Sequence, residues 1–220
     1  LSFAVLLVLC GRAASAEVLT WTVEGDKREA IVLAPADPPP GGKMPLIFSF
    51  HGHGDDMENF QYVGLQMAWP DAIIVYFQGL PSRDGLRGWQ VARGDYNDRD
   101  LNLVDVALAS LRRKYHVDDD RVYATGFSNG ANFTYLLWAE RPNVFAAYAP
   151  VAARLAPSVH PTLPRPLFHV AGARDQQIPF ADQKAAMATA ILVNGVGGQM
   201  KPCGGGCTRA PRVRVRRAAC

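Results

Sequence analysis

The chain has 220 residues, 49% hydrophobic and 20% charged, which is the composition of one globular domain rather than a disordered segment or a fibre. No apolar run reaches the roughly 18 residues needed to span a bilayer, which excludes a polytopic membrane protein, and no period of about 20–50 residues recurs, which excludes a solenoid. The net charge of +3 is unevenly spread: residues 183–220 hold seven Lys or Arg and no acid, so the remainder carries sixteen basic against twenty acidic residues, a sign that argues against nucleic acid as the partner.

Residues 3–9 form a short apolar run, and Ala14-Ser15-Ala16 follows with the small-x-small pattern of a cleavage site. Residues 1–16 are therefore expected to be an export signal with its basic start clipped, and the protein to be secreted or periplasmic with no stable membrane anchor. The other reading of this stretch is a buried N-terminal strand or helix. Export removes Cys10 and leaves Cys203, Cys207 and Cys220, an odd number for an oxidising compartment. Cys203 and Cys207 are positioned to pair across three glycines or with partners outside the chain, and no His accompanies them as a zinc site would need.

Residues 18–23 and 28–33 alternate apolar with polar around Glu24-Gly25-Asp26, which predicts an antiparallel hairpin. A Pro/Gly loop spans 35–45. Residues 46–50 are continuously apolar, as expected of a strand covered on both faces, and end in His51-Gly52-His53-Gly54. Residues 73–77 predict a second such strand, and the polar stretch 79–97 a loop carrying Trp89 over one end of the sheet. Leu101, Val104, Leu108, Leu111 and Tyr115 mark a helix, with Asp98 or Asp100 as its cap and Arg112, Arg113 and Lys114 in its last turn. Strands are expected at 121–125, within 144–152 and at 167–171, and helices at 131–139 and 180–193. This alternation predicts an α/β domain with a mostly parallel sheet and helices on both faces; beyond Gly195 the pattern stops.

Three motifs carry chemistry. Gly126-Phe127-Ser128-Asn129-Gly130 lies between a predicted strand and a predicted helix, the setting in which G-x-S-x-G lifts a nucleophilic serine above the sheet edge. His51-Gly52-His53-Gly54 follows the first central strand, where a hydrolase draws one backbone N–H for a tetrahedral oxyanion; the other comes from the residue after the nucleophile. These donors are assigned to His53, with Gly54 next, and Asn129; each is worth about 3–4 kcal/mol in the transition state. A metal site built from His51, His53 and Asp55 is the rival reading. Asp175, in Ala171-Gly172-Ala173-Arg174-Asp175 after the late strand, stands where the Ser…Asp…His chain order places the triad carboxylate; the competing reading is a turn or capping Asp. Trp89 is a candidate wall of the substrate pocket or, equally, a core aromatic anchoring its loop.

Together, His51-Gly52-His53-Gly54, Gly88-Trp89, residues 121–130, and Phe168-His169-Val170-Ala171-Gly172 with Asp175 resemble the exported esterases of the polyhydroxybutyrate depolymerase / feruloyl esterase group, α/β-hydrolases allied to carbohydrate esterases. The resemblance runs from about residue 18 to 208. It implies a secreted serine carboxylic-ester hydrolase working through an acyl-enzyme, with Ser128 as nucleophile, Asp175 as acid and neither metal nor organic cofactor. It also implies polymer-linked ester substrates: feruloyl or acetyl esters of plant polysaccharide, or hydroxyalkanoate polyester. A monomer is expected.

The group places its catalytic His in a Gly-Gly-His loop downstream of the acid. None of the five histidines here, His51, His53, His116, His160 and His169, follows Asp175. His169 lies inside a predicted strand, His116 ends a surface helix, and His160 sits in a Pro-rich loop able to fold over the site. Loss of such a base costs about 10⁶-fold in kcat. The catalytic domain is therefore expected over 17–208, lacking a closing strand and helix, with 209–220 a basic tail read out of register or, in the other reading, a natural basic tail. The alternative is a catalytically inactive relic or ester-binding protein on the same fold.

Overall fold

The computed structural model describes residues 14–36, 38, 42–196, 201–204 and 207–209, the last two segments by backbone alone. The strands are β1 (Ala14–Val23), β2 (Asp26–Pro35), β3 (Met44–Phe50), β4 (Ile73–Phe77), β5 (Leu80–Pro81), β6 (Arg87–Gly88), β7 (Val117–Phe127), β8 (Ala147–Val151), β9 (Lys201–Gly204) and β10 (Cys207–Arg209). The helices are α1 (Met57–Phe60), α2 (Leu65–Ala68), α3 (Arg99–Lys114), α4 (Asn129–Glu140) and α5 (Phe180–Val193).

Six strands form the main sheet in the order β1-β2-β4-β3-β7-β8. β1 and β2 make the expected antiparallel hairpin, and β2 joins β4 antiparallel. From β4 onward every pairing is parallel. The hairpin closes on Glu24 (φ 53°) and Gly25 (φ 92°), a two-residue turn in the left-handed region whose twist matches that of the strands it joins. Beyond β8, residues 167–170 run parallel to it but touch the ladder through only two bridges, Tyr148 to Leu167 and Val151 to Val170. The expected strand at 167–171 is thus a partly paired extended segment.

The parallel strands are buried on both faces because their side chains alternate between two cores. Phe48, Phe50, Val75 and Phe77 pack on one face with α3, α4 and part of α5. Ile47, Ile74 and Tyr76 pack on the other with α1. Helices therefore lie on both faces, as expected, but among the described residues the second face is covered by short ones only. β7 begins earlier than expected: the Asp-rich run 118–120 belongs to it, a polar overhang before the buried half.

The start of α3 departs from expectation. Neither Asp98 nor Asp100 caps it; Gln90 Oε1, from the preceding loop, accepts the N–H groups of Asp100 (3.0 Å) and Leu101 (3.1 Å). Asp98 instead accepts from Gly94 N and Gln90 Nε2. Asp100 accepts from Gln90 N and pairs at 2.8 Å with Arg28 of β2, both side chains fully buried. This network ties β2, α3 and the 79–98 loop into one unit.

Residues 1–13, on which most of the expected export signal falls, and residues 210–220 of the expected tail lie outside the described residues, as do the side chains of Cys203 and Cys207. Ala14, Ser15 and Ala16, the expected cleavage motif, are the first three residues of β1, paired with Pro35, Ala34 and Leu33. Among the described residues no helix is long and apolar enough to cross a membrane.

Candidate active site at the elbow between β7 and α4

The carboxyl ends of the parallel strands converge on one edge, the edge at which open α/β sheets bind ligands. β3 ends at Phe50, paired with Gly126, and β7 ends at Phe127, paired with Val151. Ser128 follows at once, with φ 52° and ψ −115°, a conformation that costs a non-glycine residue on the order of 1–3 kcal/mol. It is held by α4, whose Ala131 and Asn132 N–H groups bond Ser128 O, and by its own N–H to Val151 O at 2.9 Å.

The two glycines of the motif are sterically required. A Cβ on Gly126 would lie 2.5 Å from the backbone of Gly130, and one on Gly130 would lie 2.2 Å from Phe50 O and 2.5 Å from His51 O. Strand, turn and helix therefore pack backbone to backbone, and no larger residue lets α4 start where it does.

Asn129 is the first residue of α4, so its N–H has no intrahelical acceptor and is available at the turn. Its side chain holds the 79–98 loop against the elbow: Oδ1 accepts from Trp89 N (2.7 Å) and Nδ2 donates to Trp89 O (3.1 Å). Trp89 Nε1 donates to His51 O at 2.9 Å, and its ring stacks on Phe133 and meets Phe50 edge-on. Trp89 borders a cleft, but at 2% exposure its ring surface is spent in the core. Its anchoring part is thus the larger one.

The histidines after β3 diverge. His51 is buried: Nδ1 donates to Gly52 O and Nε2 accepts from Gly79 N at 2.9 Å, so the ring is a neutral structural link, and burial pushes its pKa below the usual imidazole value. His53 points outward, its Nε2 paired at 2.7 Å with Asp84 Oδ2. Asp55 accepts from Asn59 Nδ2. The three side chains of the rival metal reading thus go to three different partners. Of the two oxyanion candidates in this loop, Gly54 N–H is already bound to Arg87 O at 2.7 Å, whereas His53 N–H meets no acceptor among the described residues.

Asp175 sits in the turn after 167–170. Oδ1 accepts from Gln177 N (2.9 Å) and Ile178 N (3.0 Å), and Oδ2 from Gln183 Nε2 (3.2 Å). The two backbone N–H groups hold its pKa below the usual carboxylate value. Gln183 is fully buried and also bonds Ile178 O and Gly172 N, so it fastens the whole acid loop to α5. Gln183 and the His53–Asp84 pair are parts of the site that sequence reasoning missed; no local pattern announces contacts spanning a loop.

His169 does not face the elbow. Its Nδ1 bonds Tyr135 OH at 2.8 Å on α4, and burial depresses its pKa. His116 gives its carbonyl to Met44 N. His160 lines a cleft of about 690 Å³ with Val91, Asn132, Arg154 and Asp182. A second cleft of about 510 Å³ is lined by His53, Ser82, Asp84, Tyr96, Asn129 and others, and Val91 is common to both. Asn129 and Asn132 lie three residues apart on α4, so the two clefts flank the first turn after Ser128.

The strand order and the elbow are those of an α/β-hydrolase, and the chain has that fold. A thermostable esterase of known structure superposes with a TM-score of 0.65 at 18% identity, covering 81% of this chain and 52% of that one. Within the class, the sequence is similar to a bifunctional acetylxylan esterase/xylanase of Neocallimastix patriciarum, 28% identical over 164 residues, and to feruloyl esterase B of Piromyces equi, 24% identical over 162 residues. These matches cover 71% and 70% of this chain but only 23% and 30% of the relatives, so the chain spans less than a third of either. No family model matches the sequence.

Proposed function

We propose that the protein is an exported serine carboxylesterase acting on polymer-linked esters, such as feruloyl or acetyl polysaccharide esters or polyhydroxyalkanoate. The observation that carries this is Ser128 at the strained turn between β7 and α4, on a backbone that only Gly126 and Gly130 permit. Ser128 Oγ attacks the ester carbonyl carbon while a base takes its proton. The N–H groups of Asn129 and His53 receive the oxyanion. Collapse expels the alcohol, which recovers the proton, and water repeats the sequence on the acyl-enzyme. Asp175, kept ionised by its backbone donors, orients the base and stabilises its protonated form.

The base in this reading is a histidine, the residue that the resembled group carries in a Gly-Gly-His loop downstream of the acid. A second reading, an ester-binding protein on the same fold, rests on the rings of His51, His53 and His169, which bond Gly79 N, Asp84 and Tyr135 and not Ser128. Labelling with a fluorophosphonate distinguishes them. Rapid labelling of the peptide carrying Ser128, absent in Ser128→Ala, is the expected result, with hydrolysis then assayed on acetyl, feruloyl and hydroxybutyryl esters. A protein that stays unlabelled at Ser128 leaves only the binding reading.

A further inference from the structure

The cleft of about 510 Å³ differs in kind from its neighbour. The larger one is walled mainly by Val91, Leu155, Pro157, Val159 and the alanines of α5. The smaller one presents Ser82, Arg83, Asp84, His53, Asp95, Tyr96 and Asn129. Its carboxylates are already engaged: Asp84 is hydrogen-bonded to His53, and Asp95 Oδ2 accepts from Val91 N and Ala92 N; Arg83 also lines the cleft. A cleft rich in hydrogen-bonding groups, with its carboxylates engaged, suits a hydroxyl-bearing ligand rather than a cation.

Tyr96 is presented at some cost. Tyr96, Asn97 and Asp98 lie in succession at φ 50°, 56° and 60°, three non-glycine residues in the left-handed region, each disfavoured by about 1–2 kcal/mol. The run persists because Asp98 and Asp95 tie it to backbone N–H groups on its N-terminal side. One face of the Tyr96 ring is braced by the Arg99 guanidinium, 4.2 Å from its centroid, which is itself held by Leu80 O and Pro81 O. Arg83 lies 5.9 Å from the same centroid, on an exposed turn. An aromatic ring fixed this rigidly in a polar cleft is a platform for the C–H face of a sugar ring, with hydroxyl donors and acceptors around its edge.

We infer that this cleft binds a sugar ring seated on Tyr96, its hydroxyls met by Ser82, Asp84 and Asp95. Resting on the esterase reading, the sugar is then the alcohol part of the ester: the carbonyl sits at the elbow, the sugar on the Tyr96 side of Val91, and the acyl group in the apolar cleft on the other side. Among the polymer esters named above, this favours the polysaccharide.

The test uses a probe with no ester, so that it does not depend on catalysis. Saturation-transfer NMR of the whole protein with xylobiose is expected to show transfer to the ring protons. Tyr96→Ala is expected to weaken binding about five- to tenfold, as loss of one ring contact does, while Tyr96→Phe, which keeps the platform, binds nearly as the parent does. Absence of transfer to xylobiose in the parent, equal transfer in Tyr96→Ala, or transfer only to a hydroxybutyrate dimer each overturns the proposal. Binding without fluorophosphonate labelling removes the esterase and leaves the sugar site; labelling without binding does the reverse.

Discussion

The two sides of the sheet hold the two parts of the site by different means. On the β3–β7 side, every residue of β3 and β4 is buried, and the elbow is set by backbone-to-backbone contact at Gly126 and Gly130. On the far side, residues 167–170 join through two bridges and leave Phe168 62% exposed; α5 buries only Gln183, Ala186 and Ala190. The proposed nucleophile, Ser128, and the proposed oxyanion donors belong to the first region, and the proposed acid, Asp175, to the second. Close packing fixes Ser128, whereas a few hydrogen bonds fix Asp175.

The largest effects are therefore expected in the first region. Asp100→Ala strips Arg28 of its partner in a site with no access to water and releases Gln90 N, so a loss of about 3–5 kcal/mol is expected in urea unfolding. Gly130→Ala pushes a methyl into Phe50 O; a loss of about 3 kcal/mol, or failure to fold, is expected from the same measurement. A Gly130→Ala protein as stable as the parent would mean the elbow is not held by packing. Gln183→Leu tests the other region. It leaves Gly172 N, Ile178 O and one Asp175 oxygen without a partner, for about 1–3 kcal/mol, and hydrogen exchange is expected to speed up across 172–178 while β3 and β7 are unchanged.

The same division decides what could be read in the sequence. The strands β3 and β4 and the Gly-x-Ser-x-Gly turn were legible because burial on both faces demands an unbroken apolar run and the elbow demands glycine. An apolar run also predicts the strand at 167–171, yet this segment meets β8 through two isolated bridges and leaves Phe168 and Val170 exposed, because apolarity alone does not create a full ladder. Gln90 as the cap of α3, the Asp84 partner of His53 and the hold of Gln183 on Asp175 were illegible because each joins residues through tertiary contact, with no periodicity to mark it. For Trp89 the sequence offers pocket wall and loop anchor equally, since a tryptophan in a polar loop has the same letter in either part.

A pH titration probes the first region through His51. Its neutral Nε2 accepts the Gly79 N–H, and burial lowers its pKa in the folded state. Below about pH 6.5 the unfolded chain takes up a proton that the folded chain resists, so stability is full above that pH and falls as the pH drops toward the folded-state value. His169 is shifted in the same direction, also by burial, and adds to the slope. Melting temperature is expected to decline across this window, before the carboxylates titrate, and His51→Gln is expected to flatten the slope. A melting curve flat from pH 7.5 to 5.5 would contradict the burial of both rings.

The smallest effect is the most pointed comparison, because it sets one phenylalanine against another in the same sheet. Phe48, in β3, is fully buried against Phe77 and Phe145. Its replacement by Ala removes all of that contact and is expected to cost about 3–5 kcal/mol. Phe168, two strands beyond β7, has no such enclosure, so Phe168→Ser is expected to change stability by less than about 0.5 kcal/mol. It should also lower the tendency to associate, since Phe168 and Val170 are both exposed along a segment with few ladder partners. If Phe168→Ser instead costs about as much as Phe48→Ala, then Phe168 is enclosed in the working protein by chain outside the described residues. The acid side would then be packed as firmly as the elbow, and the contrast between the two regions would vanish.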